Sequence, residues 1–162
     1  RLRGLVALAR GRLSGLDRSD AAQAMADEVR AGLASPGGPD EAAAARLAVL
    51  ALDLAVRDVG WALVSRGTAE EHQRLWARVV AGSPPEVASA PLGLLGATAW
   101  VGGNGALLNC CVERLERDDP GYTMGRLLAD LSERALPPSL WDELVGGLRA
   151  EVGAVTGLRG LH

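Results

Sequence analysis

The chain has 162 residues, 48% hydrophobic and 23% charged. These values match an ordinary globular domain and exclude disorder, while the length suffices for one compact core. The net charge of -3 and pI near 5.4 give no global attraction to nucleic acid or anionic membrane, and no apolar run approaches the roughly 20 residues of a membrane span.

Lys, Ile and Phe are absent while Arg, Ala, Leu, Gly and Val abound, the bias of a GC-rich genome. The opening RLRGLVALARGRL sets Arg10 and Arg12 behind a short apolar patch instead of a small-residue cleavage site, so it does not read as a secretory signal. A cytoplasmic location is expected.

No sustained alternation of β-branched or aromatic with polar residues occurs, whereas helix punctuation is abundant, so the chain is predicted to be all-α. A first helix covers 2–13. Asp20 with Gln23 resembles a capping box for a second helix reaching Leu33. Ser35-Pro36-Gly37-Gly38-Pro39 forms a linker, dividing an N-terminal hairpin (1–34) from a main helical domain (40–152) ahead of a flexible tail (153–162), all expected within one globular unit.

Asp40 caps what reads as the longest helix, 41–65, apolar nearly all round and therefore expected at the domain centre. Thr68 with Glu71 predicts the next helix, and Ser83 with Pro84 and Glu86 another. Pro91 forces a restart. The stretch 91–138 then reads as two antiparallel helices stacked on a third, with Gly102-Gly103-Asn104-Gly105 as the first turn and Asp118-Asp119-Pro120-Gly121 as the second break. Pro137-Pro138 introduces a last helix carrying Trp141, Leu144, Val145 and Leu148, and the Gly-rich segment from Gly153 is expected to fray.

Leu92, Leu95, Gly96, Ala99, Leu108, Val112, Leu115 and Pro120 follow the order of a tetratricopeptide unit. A stable array generally needs about three such units. Two architectures fit: a multi-helix bundle, or an array of antiparallel helical hairpins with one tetratricopeptide-like unit.

Chemistry-bearing residues are few. Cys110 and Cys111 are helix neighbours whose side chains diverge by about 100°, which disfavours a mutual disulfide, and they read as small core residues. With only His72 and His162 beside them, no zinc site is expected, nor any other metal or cofactor. The glycines around Asn104 lack the preceding strand and following Lys of a phosphate loop. Arg1, Arg3, Arg10, Arg12 and Arg18 face only Asp17 and could meet phosphates, but a solvated helix face explains them as well; nucleic acid is not the expected partner.

Within 41–65 the interior charges are Asp53, Arg57 and Asp58. Arg46, Asp53 and Arg57 fall on one stripe of a continuous helix, with Asp53 four residues before Arg57. One reading is a polar pocket in which Arg57 grips an anionic ligand and Asp58 or His72 moves a proton; the other is a structural ion pair locking this helix to a neighbour. Trp76, Trp100, Trp141 and Tyr122 are candidate anchors of a groove between stacked helices.

RLAVLALDLAVRDVGW, HQRLW, APLGLLGATAWVGGNGALLNCCVERLERDDPGYTMGRLLAD and ALPPSLWDEL together resemble the C-terminal helical part of an uncharacterised actinobacterial family, the domain of unknown function 4192. Arg57-Asp58, the Ala99-Trp100 pair before the Gly-rich turn and the DPGY at 119–122 are its most specific pieces. The resemblance implies a helical fold, and an N-terminal α/β region in other members that is not seen in this chain; it carries no activity, cofactor or catalytic residue. The chain opens on Arg1 and not on Met, so it is expected to be part of a longer protein. The leading expectation is a non-enzymatic helical module binding another protein or a second copy of itself. The rival is a small-molecule site or enzyme built on Asp53, Arg57, Asp58 and His72.

Overall fold

A computed structural model describes residues 1–161. Those residues form nine α-helices and no strand: α1 Leu2–Leu13, α2 Arg18–Ala34, α3 Glu41–Leu50, α4 Leu54–Ala62, α5 Ala69–Ala81, α6 Ser89–Val101, α7 Gly105–Asp118, α8 Thr123–Glu133 and α9 Leu140–Thr156. The fold is all-α, as predicted.

The centre is α6. Every residue from Ala90 to Val101 is buried, because this helix alone combines an uncharged sequence with glycines that admit neighbours on several sides. At Gly96 an added Cβ would lie 2.7 Å from Leu128 Cδ1 and 3.2 Å from Cys111 Cβ, so α7 and α8 reach van der Waals contact only with glycine there. The α6–α7 hairpin is antiparallel, closed at one end by Gly103 in left-handed conformation (φ 74°) and at the other by Ser89 Oγ donating to Asp119 Oδ2 at 2.7 Å. Pro91 occupies the first turn of α6, where a missing N–H costs nothing. Around this centre, α5 covers α6, α9 lies on α4, α1 on α3, and α2 on α3 and α4. The N-terminal hairpin thereby shares one continuous core with the rest, on both sides of the 35–39 linker.

The predicted 41–65 helix is two helices. Asp53 leaves helical geometry (ψ 122°) and its carboxylate accepts from the N–H groups of Ala55 and Val56 at 2.9 and 3.3 Å, capping α4. An Asp that can satisfy two orphan donors of a new helix competes with continuation of the old one. Other boundaries move for the same kind of reason. Asp17, not Asp20, caps α2 by accepting from Asp20 N–H at 2.8 Å. Thr68 turns its hydroxyl to Ser65 instead of capping α5. Ser83 donates to the Val79 carbonyl at 2.6 Å, and Pro85–Val87 is a single 3₁₀ turn, not the start of a helix. Cys111 is buried, which pushes its thiol up to about 11, but Cys110 is exposed and is no core residue. The segment read as a loose tail stays helical to Thr156, and Leu158 and Leu161 beyond it are buried.

Candidate functional site

The four charged candidates do not form one pocket. Breaking the helix at Asp53 rotates the stripe apart, and its members Arg46, Asp53 and Arg57 pair with Glu28, Arg18 and Asp58 respectively. Arg46 lies 2.6 Å from Glu28, and that hydrogen bond raises its pKa. Asp53 caps α4 and accepts from Arg18 Nε at 3.1 Å. His72, on α5, is only 2% exposed and its Nδ1 finds no partner among the described residues. Burial pulls its pKa down to about 4, so at neutral pH it is an uncharged imidazole sealed from solvent.

Arg57 and Asp58 do meet a third residue, Tyr122. Nε and Nη2 of Arg57 both donate to Asp58 Oδ1 at 3.0 and 2.8 Å, while Nη1 donates to the Tyr122 hydroxyl at 3.0 Å. The guanidinium carbon lies 5.6 Å from the Tyr122 ring centroid, within cation–π range. Burial opposes the cation, but the hydrogen bond to Tyr122 and the nearby Asp58 outweigh it, and the Arg57 pKa is raised. Its side chain is 11% exposed, and at most two of a guanidinium's five N–H donors are left for any ligand. Tyr122 is set in place by the turn before α8, where its N–H donates to the Asp119 carbonyl at 3.0 Å. Its ring passes Gly93 of α6, where an added Cβ would be 3.4 Å from Tyr122 Cε2 and 2.8 Å from Met124 Sδ. The Arg57-Asp58 and DPGY pieces thus converge on one joint between α4 and α8.

The tryptophan candidates are core. Trp76, Trp100 and Trp141 are 0%, 4% and 2% exposed, which corrects their reading as groove anchors. Trp141 stacks on Trp61 at 5.1 Å and meets Trp100 edge-on at 6.4 Å, and its indole N–H donates to the Val64 carbonyl at 2.9 Å. Trp100 donates likewise to the Leu136 carbonyl. Trp76 fills the space beside Gly60, where an added Cβ would lie 3.0 Å from its ring. Aromatic type alone does not distinguish a core ring from an exposed one, so only burial could decide these positions.

The basic arm is largely neutralised: Arg1 pairs with Glu41, Arg3 with Glu86 and Arg18 with Asp53. Arg3 holds the Glu86 carboxyl below its usual range. Among the described residues no group of three or more His, Cys, Asp or Glu could hold a metal ion, and no helix is long and apolar enough to cross a membrane.

Sequence reasoning missed a cleft of about 670 Å³ between the end of α2, the 35–39 loop and α5, flanked by Glu71, Arg74 and Arg78. The i, i+3, i+7 spacing of those charges was visible as one flank of α5, but nothing in the sequence showed that α2 ends opposite it.

Fold and joint together define an all-helical module whose best-marked polar cluster ties two helices together. Residues 2–139 match the family described as a domain of unknown function, DUF4192, and the chain belongs to that family. No curated protein and no solved structure matches the chain.

Proposed function

We propose that the chain is a non-enzymatic helical module that works by associating with another protein or with a second copy of itself. The observation that carries this reading is the outer face of α9. Its inner face packs on α4, yet Leu144 and Val155 stand 49% and 52% exposed. Eleven residues apart, they point within about 20° of each other, with the small Gly147 and Ala154 exposed on one flank and the exposed Glu151 on the stripe between them. A water-facing helix surface of this composition is suited to burial against a partner. The former groove idea passes from the tryptophans, which are core, to this face, and Tyr122 serves the α4–α8 joint. We place the module in the cytoplasm, in keeping with its two free thiols.

The rival reading, an anionic-ligand site or enzyme on Asp53, Arg57, Asp58 and His72, has less to support it, since these residues sit in three separate settings. Native mass spectrometry and analytical ultracentrifugation of the wild type and the Leu144→Glu/Val155→Glu double variant test the proposal. A dimer, or a stoichiometric protein complex, that the folded double variant loses supports it. Association that survives both charges, or a wild type that stays monomeric and partnerless in extracts of its own host, overturns it.

A further inference from the structure

We propose that the cleft between the end of α2, the 35–39 loop and α5 binds a small organic monocarboxylic acid, its apolar body on Leu33, Pro36 and Leu75 and its carboxylate on Arg78 and Arg74. The volume of about 670 Å³ lies within the roughly 300–1,000 Å³ of small-molecule pockets, which combine an apolar lining with a few polar groups that fix orientation.

Arg78 is the focus because it is positioned but unpaired. Gly38, at φ 75°, carries the loop over its aliphatic stem, with Arg78 Cγ 3.5 Å from where a Cβ on that glycine would sit. Arg78 Nη2 donates to the Pro39 carbonyl at 3.5 Å, a long bond that leaves most of the guanidinium fork unused. Among the described residues Arg78 forms no ion pair. The carboxylates beside it are engaged elsewhere, Asp40 in accepting from Ala43 N–H at 2.8 Å and Glu41 in pairing with Arg1 at 2.5 Å. A planar guanidinium with free donors at the end of an apolar cleft matches a carboxylate.

Arg74, one turn away, is paired only with Glu70 at 3.2 Å. Both groups stand in water, so an incoming carboxylate displaces Glu70 at little cost. Glu71 lies two turns from Arg78, about 10 Å along the helix. It repels a second carboxylate at the far end and so selects a monoacid over a diacid. The polarity therefore runs along the cleft, cationic at Arg78 and anionic at Glu71.

Calorimetric and NMR titration with sodium octanoate, against octanol and octylammonium as chain-matched probes, tests the assignment. Octanoate is expected to saturate a single site with shifts centred on Leu33, Leu75 and Arg78, and Arg78→Gln to weaken it about tenfold, the loss of one charge-assisted pair. Leu33→Glu, which sets a carboxylate on the half-buried floor, abolishes binding in a protein whose circular dichroism is unchanged. The site is overturned if the three probes bind alike, if Arg78→Gln leaves octanoate affinity unchanged, or if octanoate fails to saturate below about 10 mM. None of these outcomes depends on the α9 face.

Discussion

His72 makes stability depend on pH in a window where little else titrates. In the folded chain burial lowers its pKa from 6.5 to about 4, whereas in the unfolded chain it titrates near the ordinary value. Above pH 6.5 both states hold a neutral imidazole and the group costs nothing. As pH falls, the unfolded state takes up a proton first, and stability drops until the folded state protonates too near pH 4. At about 1.4 kcal/mol per pH unit, the loss is ~2 kcal/mol between pH 7.5 and pH 5 and ~3 kcal/mol by pH 4. Glu86 beside Arg3 and Asp118 beside Arg117 are depressed carboxyls. Their stabilisation is present at neutral pH and fades only as pH drops through the carboxylate range, below most of this window. Urea unfolding followed by tryptophan fluorescence at pH 7.5, 6 and 5, on the wild type and His72→Leu, isolates the effect. Leucine is close in volume and has no polar atom to bury, so the variant is expected to fold as well at pH 7.5 and to lose ~2 kcal/mol less on going to pH 5. His162 is present in both proteins and cancels. Parallel pH curves for the two proteins would refute the buried, neutral assignment.

Other substitutions separate joint, core and surface. Arg57→Ala strands the Asp58 carboxylate and the Tyr122 hydroxyl and is expected to cost about 2–3 kcal/mol in urea unfolding, while Tyr122→Phe, which removes one hydrogen bond, costs about 1 kcal/mol. A loss below 0.5 kcal/mol for Arg57→Ala would argue against a structural joint. Gly96→Ala pushes a methyl into Leu128 and Cys111, and overpacking of roughly 1–3 kcal/mol exceeds the gain of ~1 kcal/mol in helix propensity. Gly11→Ala, at an exposed position of α1 where nothing lies within 4 Å, makes only that gain, so the two substitutions should move Tm in opposite directions. Trp141→Ala removes a buried ring stacked on Trp61 and is expected to cost about 3–5 kcal/mol; a folded variant of wild-type stability would return Trp141 to the surface.

Local chemistry in the sequence was enough for some helix ends. Asp40, the Asn104 turn and the DPG break work through the backbone within a few residues, and all three terminate or start helices in the structure. Asp53 misled because its surroundings are apolar and free of Gly and Pro, so a periodic pattern runs through it unbroken. Whether such an Asp sits inside a helix or caps a new one depends on the tertiary cost of leaving it inside. The same limit misplaced the centre: 41–65 and 89–101 are both apolar all round, and only packing shows that α6, with its glycines against α7 and α8, takes the middle.

The candidate site was legible as pieces and not as an arrangement. Arg57-Asp58 and the DPGY turn stand 65 positions apart at the Arg57–Tyr122 hydrogen bond, a contact no local rule supplies. Residues kept for catalysis are expected to converge where a substrate can reach them, with donors and lone pairs to spare. Here they converge on a joint where three guanidinium N–H groups are already spent and the cation is mostly covered. Arg78, which marked no motif, has the opposite character: it stands at an open cleft with its fork largely free. The motif that most resembles the family therefore accounts for architecture, and recognition is better sought on the cleft and the α9 face, where side chains are left without internal partners.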